Sequence, residues 1–279
     1  MTTATRRRLI ALDRSLELLP LFRLSDSAED AAIAYTTPDG RRWRVLPAPG
    51  DRVPGTFDQD VYIELLHRFH EAGTPSDGAL TFTLHAFLRA MGRAVDGRTY
   101  EQLRGALLRL ERTGLESQGG YWDATHQRWA DLRFTVLASV TIARRRAAER
   151  DQLPLFPDVL SGDPGDVRAV LAAPLRANLA AHHASALSPT IYRALGSPVA
   201  RRLYRLLAAV AAGGDAGWEV ELERLADQLP LAQRYPSHLQ RVLQPAHAML
   251  EEAGAVRNAA LVQRGRAWVV AYDLAGVAA

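Results

Sequence analysis

Apolar positions in this chain fall into two sets that repeat each other at long range. In DVYIELLHRF (60–69), Val61, Leu65 and Phe69 stand four residues apart, the spacing of one helix face. In PVARRLYRLL (198–207), Val199, Leu203 and Leu207 do the same 138 positions later. That offset also carries Phe82 to Val220, Leu84 to Leu222, Phe87 to Leu225 and Met91 to Leu229. Two further residues raise it to 140, which carries Leu103 to Leu243, Ala106 to Ala246, Leu110 to Leu250 and Gly114 to Gly254. A near-constant offset over three helices marks one arrangement present twice.

Each set opens with a long amphipathic helix (about 58–72 and 189–212). A short extended piece follows (ALTFT, 79–83; WEVE, 218–221), then a short helix (84–92; 222–229). The third helix (100–113; 238–253) ends at a glycine suited to the C′ position, Gly114 or Gly254. Strand-like stretches close each set. In RFTVLASVTI (133–142), Phe134, Val136, Val140 and Ile142 alternate with Arg133, Thr135, Ser139 and Thr141. AALVQRGRAWVVAY (259–272) offers two strands around Gly265. Between the sets, ARRRAAERDQLPLFPDVLSGDPGD (143–166) is arginine-rich and then Pro/Gly-rich, and reads as a connector. The next stretch, 167–189, predicts a strand, a helix from Pro174 and a return strand, counted with the second unit. WRVLPAP (43–49) predicts a strand added to the first. The organisation expected is an N-terminal unit over 1–150, a linker over 151–166 and a C-terminal unit over 167–279.

Helix, strand, helix, turn, helix and ribbon is the order of a winged helix-turn-helix, whose last helix enters the DNA major groove. The fold class expected is α+β, with tandem duplicated winged-helix domains. Thr99 with Gln102, and Ser237 with Gln240, fit an S/T-x-x-Q capping box at the third helices. The core stripes Leu103, Ala106, Leu107, Leu110 and Leu239, Leu243, Ala246, Leu250 leave outer faces with Glu101, Gly105, Leu108, Arg109 and Arg112, and with His238, Arg241 and Gln244. The residues expected to contact DNA are Arg98, Thr99, Tyr100, Gln102, Arg104, Arg109 and Arg112 on the first helix. Arg234, Tyr235, Ser237, His238, Arg241 and Gln244 are their counterparts on the second; Arg128, Arg264 and Arg266 lie on the ribbons, and Arg144, Arg145 and Arg146 in the connector. Gly105 lies on the outward face opposite Pro245 at offset 140, two poor helix formers where a surface must fit a groove.

Composition sharpens this little. Apolar residues make 48% and charged residues 23% of 279, ordinary for a globular chain of one or two domains. No apolar run approaches a membrane span, and the basic N-terminus lacks the apolar core of a signal peptide. A cytoplasmic, nucleoid- or plasmid-associated protein is expected. All 34 basic residues are arginine, against a net charge of only +3. They cluster at Arg6–Arg8, Arg41/Arg42/Arg44, Arg144–Arg146 and Arg201/Arg202. Arginine holds phosphate bidentately, and a GC-rich genome yields the same bias.

PLFRLS (20–25), VPGTFDQDVYIELL (53–66), GRTYEQLRGALLRLERT (97–113) and LSPTIYRALGSPVARRLYRLLAA (187–209) resemble the bacterial replication initiator protein A family. More distantly, the arrangement resembles iteron-binding plasmid initiators built from two winged helices. The resemblance spans roughly residues 18–273 and is most specific at Asp58 and Asp60, at Gly97/Tyr100/Leu103, and at Ser197-Pro198 with Arg202-Leu203-Tyr204. The family's basic residues commonly mix lysine and arginine, which this chain does not. The resemblance implies recognition of direct repeats in double-stranded DNA at a plasmid or secondary-replicon origin. Strand opening and recruitment of a replicative helicase or its loader then follow, and a homodimer can act as autorepressor. It also implies single-stranded DNA binding, for which Tyr121, Trp122 and Trp129 near the first ribbon's tip offer stacking faces.

Enzymatic chemistry finds little support. No cysteine, no G-x-x-x-x-G-K-[ST], no G-x-S-x-G and no H-E-x-x-H occurs. Adjacent His182 and His183 do not form a His-x-His metal pair. His67 and His70 with Glu64 and Glu71 read as a solvated helix face, and Asp58-Gln59-Asp60 as a helix start rather than metal carboxylates. No catalysis, metal or cofactor is expected. A transcriptional regulator with the same modules, or a protein-interaction role, remains compatible with these residues.

Overall fold

The computed structural model describes residues 9–24, 31–143 and 166–274. The chain opens with β1 (Ile10–Asp13), the single-turn α1 (Arg14–Glu17) and a hairpin of β2 (Ile33–Thr36) and β3 (Arg42–Leu46). The first set follows as α2 (Thr56–Glu71), β4 (Ala79–Thr83), α3 (Leu84–Ala90), α4 (Gly97–Arg112), β5 (Gly114–Asp123), β6 (Arg128–Phe134) and β7 (Leu137–Ile142). Next come β8 (Asp166–Leu171), α5 (Ala173–Ala180), β9 (Ala184–Leu187) and α6 (Pro189–Ala194). The second set is α7 (Pro198–Ala211), β10 (Gly217–Glu221), α8 (Leu222–Gln228), α9 (Pro236–Glu252), β11 (Asn258–Arg264) and β12 (Ala267–Asp273). It is a mixed α/β protein in which helix, strand, helix, helix and hairpin occur twice.

The repeat is physical. Val61, Leu65, Phe69, Leu103, Ala106 and Leu110 are buried, and so are Val199, Leu203, Leu207, Leu243, Ala246 and Leu250. Even a polar device recurs at offset 140: Glu111 accepts the backbone N–H of Val140 at 2.8 Å, and Glu251 that of Ala259 at 2.7 Å. Each pins its helix to a following strand.

The two sets differ in their sheets. In the second, the order is β10-β12-β11, so the strand between helices flanks the hairpin. In the first, β4 joins β8 and β7, while the hairpin β5–β6 joins the four-stranded sheet β2-β3-β5-β6. The first ribbon is therefore 114–134, not 133–142; Thr135 and Val136 separate β6 from β7. Strand β8, expected to open the second unit, pairs along its length with β4 and β7 of the first. Strand β9 pairs with β1, Ile10 opposite Leu187.

Three local expectations are corrected. The helix expected over 189–212 is two helices, each capped by serine (Ser188, Ser197) with proline at its first position, the ordinary chemistry of a helix start. Gly114 begins β5 after an extended Thr113, whereas Gly254 does take φ +67. The capping boxes shift: α4 is capped by Asp96, with Thr99 at its third position, and α9 follows Tyr235 with no side-chain cap.

A buried ionic cluster knits α1, α2 and α7 together. Glu17 accepts Tyr62 Oη at 2.9 Å and Arg205 Nε and Nη2 at 2.9 and 2.7 Å. Arg205 Nη1 donates to Gln59 Oε1 at 3.1 Å. Arg202 donates to the carbonyls of Glu17, Leu19 and Gln228 at 2.9–3.3 Å. Burial, with Arg205 alongside, pushes the Arg202 guanidinium down to about 10. The Arg201/Arg202 pair is thus no surface patch: Arg201 holds Asp60 at 2.7 Å and Arg202 is interior.

Asp13 caps α1 and accepts from Ser15 N, Asn178 Nδ2 and Tyr121 Oη. Burial raises its pKa to about 7, against the pull of those donors. A carboxyl raised in the folded state stabilises most below its unfolded value of about 4, and that contribution fades as pH climbs through the folded value. Stability should fall between pH about 4 and 7 by more in the parent than in Asp13→Asn. Urea midpoints of both chains across that range measure the difference; parallel curves would refute it.

Candidate nucleic-acid interface

Helix α9 turns Leu239, Leu243, Ala246, His247 and Leu250 inward. His247 is held by Tyr272 Oη at 2.9 Å, and burial lowers its pKa to about 4, so it stays neutral. The opposite face is open. Tyr235 is 72% exposed and meets the His238 ring edge-on at 5.7 Å. Ser237, His238, Arg241 and Gln244 are exposed. Proline at the first position and the absence of an acid in the first turn leave the helix's positive end unneutralised. Arg234 pairs with Asp227 at 2.7 Å and Arg264 with Glu219 at 2.6 Å, both at the surface. Arg266, beside Gly265 (φ +63) at the hairpin tip, is exposed. Among the described residues, neither Arg241 nor Arg266 makes an ion pair.

Helix α4 presents a different face. Asp96 accepts Thr99 N at 2.8 Å and donates its own N–H to Thr99 Oγ1 at 3.1 Å, so Thr99 is engaged in capping. Tyr100 is half-buried against the core, its hydroxyl 3.4 Å from His85 Nδ1. Arg104 pairs with Glu101 at 2.5 Å. Arg109, expected on the groove side, instead grips buried Asp58 with Nε at 3.1 Å and Nη2 at 3.0 Å. The reason is packing: α4 lies against the start of α2, where Asp58 also accepts Gly55 N at 2.7 Å. Arg98, Gln102, Arg112 and Arg128 are exposed. Arg144, Arg145 and Arg146, like Arg6–Arg8, lie outside the described residues.

Gly105 is half-buried, and a Cβ there meets only the Arg109 guanidinium at 3.7 and 3.9 Å, ordinary contact distances. Gly105→Ala should therefore stabilise the free chain by a few tenths to ~1 kcal/mol and leave DNA binding equal or weaker. Thermal melts and a DNA titration check the pair, and tighter binding would remove any role for the groove at this position.

Of the three aromatics, Tyr121 is buried on Asp13 and offers no stacking face. Trp122 and Trp129 meet edge-on at 5.2 Å across the hairpin, and Trp129 is 48% exposed. His67 sits between Glu64 and Glu71 at 3.7 and 3.6 Å. Among the described residues no group of three or more His, Asp or Glu is arranged to hold a metal ion, and no helix is long and apolar enough to cross a membrane. Asp60 is an inter-element anchor rather than a simple helix-start acid: Arg93, Arg201 and Tyr192 converge on it at 2.7–2.9 Å. No local pattern announces that partner set, because its members are up to 141 residues apart.

The fold resembles that of domains 2 and 3 of RctB, with a TM-score of 0.61 at 12% identity, covering 94% of this chain and 99% of the other. A second structure of RctB domains 2–3 gives 0.52 at 12% identity, covering 94% and 96%. The Pi initiator protein in complex with iteron DNA gives 0.47 at 11% identity, covering 78% and 93%. No curated protein matches the chain. A sequence profile covering residues 13–248 makes the class plain: this is a replication initiator. The family is Replication initiator protein A, and the chain belongs to it.

Proposed function

We propose that the two sets are tandem winged helices and that the protein binds repeats of duplex DNA at its replicon's origin, without catalysis and in the cytoplasm. The supporting observation is the open face of α9 beside the hairpin β11–β12, with Arg241, His238, Gln244 and Arg266 free of ionic partners among the described residues. Arginine reads guanine edges and glutamine adenine edges in the major groove. On α4 two of the four arginines, Arg104 and Arg109, are held in ion pairs, so this half positions the duplex through Arg98, Arg112 and Arg128, and α9 reads bases. Strand opening and recruitment of a helicase or its loader, and a repressing homodimer, belong to the same reading.

A mobility-shift titration with the replicon's own upstream DNA tests it. Binding should be sequence-specific, with log K falling steeply as log salt rises, and equal affinity for unrelated duplex would defeat it. Arg241→Ala should cost about 1–3 kcal/mol and relax specificity at one position. Arg112→Ala should instead weaken all sequences alike; comparing the two on scrambled sites exposes an error in either assignment.

A further inference from the structure

A cavity of about 440 Å³ opens where the first set meets α6 and α7, and it shares no residue with α9 or the hairpin β11–β12. Its walls come mainly from α2 between Asp60 and His67, the end of α3 with the turn that follows, α6, and Arg201 of α7. That volume falls within the range of small-molecule sites. Four guanidiniums line it, those of Arg89, Arg93, Arg193 and Arg201, against two carboxylates, Asp60 and Glu64. Ile63, Met91 and Pro189 add apolar surface.

Both carboxylates are already committed. Asp60 takes Arg93 at 2.8 Å, Arg201 at 2.7 Å and Tyr192 Oη at 2.9 Å. Glu64 is held at 2.8 Å by Arg68, which lies outside the lining. Arg193 stands 3.8 Å from Glu64 with its side chain 54% exposed. Arg89 is exposed and makes no ion pair among the described residues. The surplus is therefore two accessible guanidiniums, on α3 and α6, that line one concave surface. Like charges in a cleft concentrate anions there, and each guanidinium presents a fork that matches phosphate oxygens. Cations on separate helices, around a cavity this large, suit a chain of phosphates better than a single one.

We infer that this cavity binds a free polyphosphate chain, either inorganic or the tail of a nucleoside triphosphate. Arg89 and Arg193 grip the chain, and Arg93 and Arg201, which outnumber the Asp60 they share, add to the positive field. With a nucleotide, the sugar and base lie against Ile63, Met91 and Pro189. Arg89 belongs to the first set and Arg193 to the helix just ahead of the second, so a bound chain ties the two together. The site is separate from the α9 surface, and either can fail without the other.

The test titrates the full chain calorimetrically, in magnesium-free buffer, with sodium triphosphate, ATP and orthophosphate. Saturable binding of triphosphate is expected, at least tenfold tighter than that of orthophosphate. Arg89→Gln and Arg193→Gln should each weaken it at least fivefold while keeping the parent's thermal melt and its affinity for duplex DNA. Arg257→Gln, which changes an exposed arginine outside the cavity, should leave it unchanged. ATP binding more tightly than triphosphate identifies a nucleotide site; equal or weaker binding identifies a site for the bare chain. No saturable binding of triphosphate overturns the proposal, as does an equal loss in all three variants, the mark of unspecific attraction to surface charge. Loss of duplex affinity in Arg89→Gln and Arg193→Gln overturns it too, because the cavity's cations then serve the DNA backbone. Should Arg193→Gln melt early, Arg193→Lys, which keeps the charge but not the fork, replaces it and should retain part of the binding.

Discussion

Glu17→Ala should lower the unfolding free energy by about 3–5 kcal/mol, the largest single-residue loss expected in this chain. Its carboxylate is wholly buried and faces two guanidiniums that are themselves 1% exposed. Removing it leaves Arg202 and Arg205 without their counter-charge in the interior. Their remaining acceptors, the carbonyls of Glu17, Leu19 and Gln228 and the amide of Gln59, are dipoles only. Tyr62 loses its acceptor as well. The loss measures an uncompensated charge, not the net worth of the cluster. Replacing Glu17, Arg202 and Arg205 together by apolar residues of similar volume should therefore cost much less than Glu17→Ala alone. Urea denaturation of the single and triple variants makes the comparison. If the triple variant is the less stable, the ionic arrangement itself is what holds α1 to α7.

Arg109→Ala should destabilise by about 3 kcal/mol, because Asp58 is then buried and unpaired, yet change duplex affinity little once the chain is kept folded. The geometry behind this is bidentate, with Asp51 as a second acid at 3.5 Å from Nη1. Denaturant midpoints and a DNA titration at low temperature separate the two effects. A large loss of DNA affinity with unchanged stability would return Arg109 to the groove face, where the sequence alone suggested it.

That misplacement shows where the sequence is and is not legible. The apolar repeat located every helix of both sets, since burial periodicity is a local property and survives divergence. Ser197-Pro198 also carried the break between α6 and α7 in plain view, a serine cap followed by proline at a first helical position. Sheet partners were not readable. Nothing near Thr81 points to Arg168, its partner in the ladder, and nothing near Ile10 points to Leu187. The exposed α9 residues could be chosen because they fall off an apolar stripe. On α4 the same logic put Arg109 outside, but a cation off the stripe is equally well placed to meet a buried acid on a neighbouring helix, and Asp58 supplied one.

The pairing of β8 with β4 and β7, and of β9 with β1, sets where this protein can be recombined with its relatives. A crossover placed in the connector would give one parent's β4 and β7 the other parent's β8, and leave β1 facing a foreign β9. Three antiparallel registers would have to be matched by chance. A crossover at Leu195-Gly196-Ser197 keeps both sheets within one parent and exchanges α7 through β12 as a unit. Its remaining seam is then confined to side chains, above all Glu17 against Arg202 and Arg205, and Asp60 against Arg201. Chimeras that carry those five residues together should inherit the DNA preference of whichever parent donates α9.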